Sequence, residues 1–168
     1  MKLITLSVII FALFLYVIPK ISQRATEQSG LKQSTVSVDD RAYRVRLYLE
    51  GYGSPLAPAS SEFIKVADKY KIDFRILVGI AGAESTFGKA IPEGSANPFG
   101  LGCWTNHPCF RFSSFGDAIE YLGRTLATGN PYSQFRRSGK VEDIAEVYLT
   151  GNKTRWTNAV SYTMEELK

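Results

Sequence analysis

The chain is 168 residues long, 45% hydrophobic and 21% charged, the balance of a globular protein with room for one ordinary domain and an appendage, not of a disordered or fibrous one. Its formal charge of +4 is uneven: Lys2, Lys20, Arg24 and Lys32, set against Glu27, account for +3, which leaves +1 for the rest of the chain. Without clustered Lys and Arg to displace counterions, nucleic acid is not expected as a partner.

Residues 3–18 carry no charge, are mostly apolar, and end at Pro19 and Lys20. As a helix this run would be roughly 24 Å long, a little short of a ~30 Å hydrocarbon core. No small-residue cleavage pattern follows in PKISQRATEQ, so residues 1–20 read first as a retained membrane anchor, with a cleaved signal peptide as the alternative. Lys2 on one side and Lys20 and Arg24 on the other leave its orientation open. Either way the chain is addressed to the extracytoplasmic face of a membrane or to the wall, and is secreted if the segment is removed. Residues 21–38, rich in Ser, Gln, Thr and Lys, read as a flexible linker.

Residues 39–168 read as one mainly α domain. Residues 39–50 are ambiguous, because Tyr43, Val45, Leu47 and Leu49 alternate as in a strand while Asp39 and Asp40 resemble a helix start. After the turn-rich GYGSPLAPAS, helical stripes follow: Phe63, Val66, Ala67 and Tyr70, begun at Ser60 or Ser61; Phe115, Ala118, Ile119, Leu122 and Leu126, behind the Ser114-x-x-Asp117 capping pattern; Val141, Ile144, Ala145 and Tyr148; and Trp156, Ala159, Val160, Thr163, Met164 and Leu167. Trp156 reads as a structural residue opening the last helix.

Cys103 and Cys109 lie close together in GCWTNHPCF. In an exported protein such a pair reads as a disulfide, and closing so short a loop stabilises by about 2–3 kcal/mol on the chain-entropy argument. The alternative, a metal site of Cys103, His107 and Cys109, is one ligand short of the zinc set. No metal and no organic cofactor is expected.

The helix expected to begin after Asp73 differs from the rest. Residues 76–83 read ILVGIAGA, apolar on every side, which predicts a buried helix. Gly79 and Gly82 within it point to close packing against a neighbour, and Gly88 to its end. Glu84 arrives where that helix runs out. Partial negative charge at a helix C-terminus, and low solvation beside Phe87, both disfavour an ionised carboxylate and raise its pKa. A general acid needs such a shift to hold a proton at neutral pH. The bland alternative is a first solvated residue at a helix end.

Taken in order, GIAGAESTFG, NPFGLG, an amphipathic helix and YLTGNKTRW resemble the lysozyme-like superfamily. The likeness is greatest to bacterial peptidoglycan N-acetylglucosaminidases of glycoside hydrolase family 73; lytic transglycosylases share the Glu-Ser pair, here Glu84-Ser85. The resemblance covers roughly residues 60–167 and implies a lysozyme-like domain with a buried catalytic helix. It implies an enzyme that cleaves β-1,4 glycosidic bonds of the glycan strand, with peptidoglycan as substrate and the membrane as a partner through residues 3–18.

By the same resemblance Glu84 is the proton donor, and Ser85 supports that carboxyl or the sugar. Asn97, Phe99 and Gly100 line the cleft, with the Asn97 amide meeting an acetamido group. Tyr148 faces the cleavage point, or else is a core aromatic beside Ile144. Trp104, in the cysteine loop, is the candidate sugar platform; Phe110 and Phe112 fit core packing equally well. The departures are Phe87 where Trp is usual, Gly151 where an Asp stands, and a short segment over residues 89–96 in which Glu93 is the one candidate for a second acid. A flanking pair of carboxylates is therefore not assigned. The alternatives are a lytic transglycosylase on the same polymer and a non-catalytic lysozyme-like envelope or scaffold module.

Overall fold

The computed structural model describes residues 39–103 and 107–168. The N-terminal anchor and linker expected over residues 1–38, and Trp104, lie outside them. Among the described residues there are seven α-helices and no strand: α1 Arg41–Gly51, α2 Ser60–Tyr70, α3 Phe74–Ser85, α4 Phe115–Thr128, α5 Ser133–Ser138, α6 Val141–Tyr148 and α7 Lys153–Glu166. No helix of the described residues is long and apolar enough to cross a membrane.

The ambiguity at residues 39–50 resolves as a helix. Val45 and Leu49, one turn apart, are buried, whereas Tyr43 and Leu47, also one turn apart, are exposed. The apparent alternation is thus two helical stripes, one on the core and one in solvent. Arg41 bridges Asp39 and, at 2.8 Å, Asp68 of α2, which pins the start of α1 to its neighbour.

Two of the predicted capping residues act as caps, whereas the expected Ser60 or Ser61 does not: α2 follows Ala59 and has no side-chain cap. The Asp73 carboxylate accepts from the Arg75 backbone N–H at the head of α3, and Ser114 Oγ accepts from Asp117 N–H at the head of α4. Each satisfies one of the donors a helix start leaves open. Asn152 does the same for α7, accepting from Arg155 N–H.

Helix α3 forms the centre. Leu77, Val78, Ile80 and Ala81 are fully buried, as an apolar stretch with no polar face must be. Its main partner is α7, and the crossing is made at Gly79, where a Cβ would meet Val160 Cγ1 at 2.8 Å and the Val160 carbonyl oxygen at 2.9 Å. Arg75 reaches the Met164 carbonyl on one side of this crossing, and Glu84 reaches Trp156 on the other. The contacts advance along α3 as they retreat along α7, so the two helices run antiparallel. A second close crossing joins α2 to α4, where a Cβ on Gly123 would lie 2.3 Å from Val66 Cγ1. Ala118, Ile119, Leu122 and Leu126 fill the core on that side.

Candidate active site

The end of α3 comes earlier than the sequence suggests. The helix stops at Ser85, and Thr86 (φ 51°), Phe87 (φ 57°) and Gly88 (φ 80°) are all left-handed. Two non-glycine residues in that region cost about 1–2 kcal/mol each, so other contacts must hold the turn. Phe87 N–H donates to the Ala81 carbonyl at 3.0 Å and Thr86 N–H to that of Gly82 at 3.1 Å, which closes an end of the αL type. The Phe87 ring folds back over Gly82, where a Cβ would stand 2.6 Å from a ring carbon.

Ser85 belongs to this brace. Its hydroxyl donates to the Pro98 carbonyl at 2.7 Å, lies 3.0 Å from that of Ala81, and accepts from Gly88 N–H at 2.8 Å. The residue is 3% exposed and its hydroxyl is committed to backbone. It therefore supports the carboxyl only at a distance, by joining the helix end to the loop that follows.

That loop is closed by Asn97. Its amide oxygen accepts from Phe99 N–H and Leu101 N–H, at 3.3 and 3.1 Å, and its amide nitrogen donates to the carbonyls of Leu101 and Phe110, at 2.8 and 3.1 Å. Both donors and both acceptor positions of the side chain are occupied, and the residue is 2% exposed. The structure therefore places Asn97 as a clamp within the protein, not as a group free to meet an acetamido substituent.

Phe99 likewise faces the core, fully buried, and contributes its backbone instead: its carbonyl accepts from the Tyr148 hydroxyl at 2.6 Å. Gly100 has φ +63°, and a Cβ there would lie 2.9 Å from Glu84 Oε2. The clamp thus lays bare backbone against the carboxylate.

Beyond it Cys103 and Cys109 form the expected disulfide, with a Cα–Cα distance of 4.1 Å, so the thiolates a metal site would need are taken. Phe110 N–H donates to the Leu101 carbonyl across the base of the loop. Phe110 and Phe112 pack their rings on Tyr121 of α4, in agreement with the core reading of both. Glu93 is exposed on a turn closed by Ser95 N–H to the Pro92 carbonyl. No group of three or more His, Cys, Asp or Glu side chains among the described residues is arranged to hold a metal ion.

Glu84 itself is half-buried. Burial raises its pKa above the ordinary carboxyl value, and the hydrogen bond from Trp156 opposes that rise. The indole Nε1–H of Trp156 donates to Glu84 Oε1 at 2.6 Å. Phe87, expected to supply the low solvation, turns elsewhere and packs on Tyr48 and Tyr52, with ring centroids 5.5 and 4.6 Å away. The Tyr148 ring lies 5.7 Å from that of Trp156 at an interplanar angle of 31°. Its hydroxyl is held well above the ordinary tyrosine pKa, first by burial, then by the charge of Glu84 and by Tyr132. Tyr148 accordingly remains a neutral phenol that spends its proton on the Phe99 carbonyl.

Of the residues singled out from the sequence, Glu84, Gly100 and Tyr148 meet, while Ser85, Asn97 and Phe99 lie beneath them as scaffold. The residue missed is Trp156. Its place on the stripe with Val160 was legible, but only the antiparallel pairing of α3 and α7 shows that the same side chain reaches the carboxyl. No protein-family model, no curated protein and no solved structure matches the chain.

Proposed function

We propose that the chain is a peptidoglycan hydrolase of the N-acetylglucosaminidase type, which cleaves β-1,4 bonds of the glycan strand with Glu84 as general acid and then general base. The observation that carries this reading is the state of Glu84: a half-buried carboxyl with a raised pKa, one oxygen held by a neutral donor and the other beside bare backbone. A structural glutamate is ordinarily paired with a cation or solvated. An acid that must keep its proton near neutral pH needs the partial desolvation seen here.

In the proposed reaction Glu84 gives its proton to the glycosidic oxygen. The bond from that oxygen to the anomeric carbon breaks with its electron pair going to the leaving oxygen. The 2-acetamido oxygen of the same sugar bonds to the anomeric carbon from the opposite face. The Glu84 carboxylate then takes a proton from a water molecule, whose oxygen opens the ring so formed. This scheme asks for one protein carboxyl, in keeping with Glu93 standing exposed on an outer turn. No charged side chain among the described residues contributes to the pKa shift of Glu84.

Attack by the sugar's own 6-hydroxyl in place of the acetamido oxygen would make the enzyme a lytic transglycosylase, with the same proton steps at Glu84. In either case residues 1–20 would hold the domain at the extracytoplasmic face of the membrane, and the linker would let it reach the polymer. A scaffold module of the same fold would have no use for a desolvated carboxyl. Digestion of purified peptidoglycan, with mass analysis of the fragments, tests the proposal: new reducing glucosamine ends support the glucosaminidase, and anhydro-muramic ends the transglycosylase. Intact strands would count against both.

A further inference from the structure

The two oxygens of Glu84 are not equivalent. Oε1 accepts the Trp156 indole N–H at 2.6 Å, whereas Oε2 has no hydrogen-bond partner among the described residues and lies beside Gly100. An indole nitrogen only donates. In a neutral carboxyl the doubly bonded oxygen is the better acceptor and the hydroxyl oxygen carries the hydrogen. A donor that cannot reverse its role therefore favours one of the two protonated forms, the one with Oε1 as carbonyl and Oε2 as hydroxyl.

The indole is itself held firmly. Trp156 is 7% exposed, its ring lies against Tyr148, and one turn further along α7 Val160 sits on Gly79 with no room for a methyl group between them.

We propose that Trp156 is a positioning residue that places the acidic proton of Glu84 on Oε2, and that Gly100 keeps this oxygen open to the glycosidic oxygen. The inference rests on the reading of Glu84 as the acid. It goes further in naming the atom that delivers the proton and the side chain that selects it. The same N–H serves the second half of the reaction. Once the proton has left, the negative charge spreads over both oxygens, and a donor already in place stabilises it without reorganisation. Tyr148, the titratable neighbour facing Glu84 from α6, stays protonated throughout and does not compete for the proton.

The test is infrared difference spectroscopy of the full chain across the titration of Glu84, with the band assigned by its loss in Glu84→Gln. In the parent protein the carbonyl stretch of the protonated Glu84 carboxyl should lie at the low frequency of a hydrogen-bonded carbonyl. In Trp156→Phe it should move up, because the carbonyl oxygen loses its donor. Peptidoglycan cleavage at the pH optimum should fall about tenfold or more, the size expected for losing one charge-assisted hydrogen bond in the transition state. The alkaline limb of the pH profile should move to higher pH, since the lost donor favoured the charged form.

Should Trp156→Phe fail to fold, replacing Trp156 with benzothienylalanine keeps the ring shape and removes only the N–H. An unchanged carbonyl frequency in the folded variant overturns the proposal, because it means that Oε1 carries the proton or that the indole does not touch it. The infrared result needs no turnover. A fully active Glu84→Gln protein would instead sink the functional reading while leaving the spectroscopic result as it stands.

Discussion

A methyl group on Gly100 would stand 2.9 Å from Oε2 of Glu84, so at this position the loop after α3 meets the carboxyl with bare backbone. Two effects coincide there. The left-handed φ disfavours any side chain by about 1–2 kcal/mol, and the added methyl would crowd the carboxyl oxygen that has no hydrogen-bond partner among the described residues. Gly100→Ala should therefore lose both stability and cleavage of peptidoglycan. Gly139 is a control: its φ is +70°, but nothing lies within 4 Å of a Cβ there. Thermal unfolding should show a comparable backbone cost in Gly139→Ala, while dye release from labelled peptidoglycan should show activity lost only in Gly100→Ala.

The crossing of α3 and α7 sets where Trp156 stands. Gly79→Ala places a methyl 2.8 Å from Val160 Cγ1 and 2.9 Å from the Val160 carbonyl oxygen, and overpacking of this kind costs about 1–3 kcal/mol. The helices must separate, and the Trp156–Glu84 bond lengthens with them. Adding Val160→Ala removes the side-chain clash but not the one with the backbone oxygen. The double variant should thus recover only part of the lost melting temperature and little of the activity; full recovery of both would place the constraint in the valine side chain alone.

The raised pKa of Glu84 makes stability depend on pH with a definite sign. In the folded state the carboxyl holds its proton to a higher pH than in the unfolded chain. The folded state therefore gains relative stability below the ordinary carboxyl pKa, and that gain is lost as pH rises through the raised value. Glu84→Gln, which cannot ionise, should unfold at a higher temperature than the parent at neutral pH. The gap should close as the pH falls from the raised value to below the ordinary carboxyl value. Parallel melting curves at neutral and acid pH check this; a variant less stable at neutral pH would contradict the desolvated carboxyl.

Asn97 should behave as a scaffold residue. Asn97→Ala removes four hydrogen bonds from the loop backbone, and the N–H groups of Phe99 and Leu101 lose the side-chain oxygen they share, at a cost of about 1–3 kcal/mol for each group left unsatisfied away from water. Its loss should appear first in urea unfolding midpoints and only in consequence in activity. The Cys103–Cys109 disulfide holds the neighbouring loop, and its reduction should destabilise by about 2–3 kcal/mol. Thiol titration of the unreduced protein should find no free thiol; two would contradict the bridge.

Legibility in the sequence followed the range of the interactions. Asp73 and Ser114 were readable as caps because a cap bonds to a backbone N–H two or three residues on. The burial of α3 was readable because a run without polar residues has no face to show to water. Residues 39–50 stayed ambiguous because two helical stripes interleave as an alternation. Asn97 misled for a different reason: a polar side chain in a loop next to an acid suggests a ligand, and only the folded loop shows that its own backbone fills every hydrogen-bonding position. Trp156 was out of reach, since its partner lies 72 residues away and no local pattern encodes that meeting.

The most direct measurement is the cleavage of purified peptidoglycan by the chain and by Glu84→Gln at equal concentration near neutral pH, with the fragments separated and weighed. The expected result is release of fragments with new reducing sugar ends by the parent, and a rate lower by about 10²–10⁴-fold in the variant, the range for removing a general acid. Fragments released equally by both proteins would contradict the assignment of Glu84 as the acid.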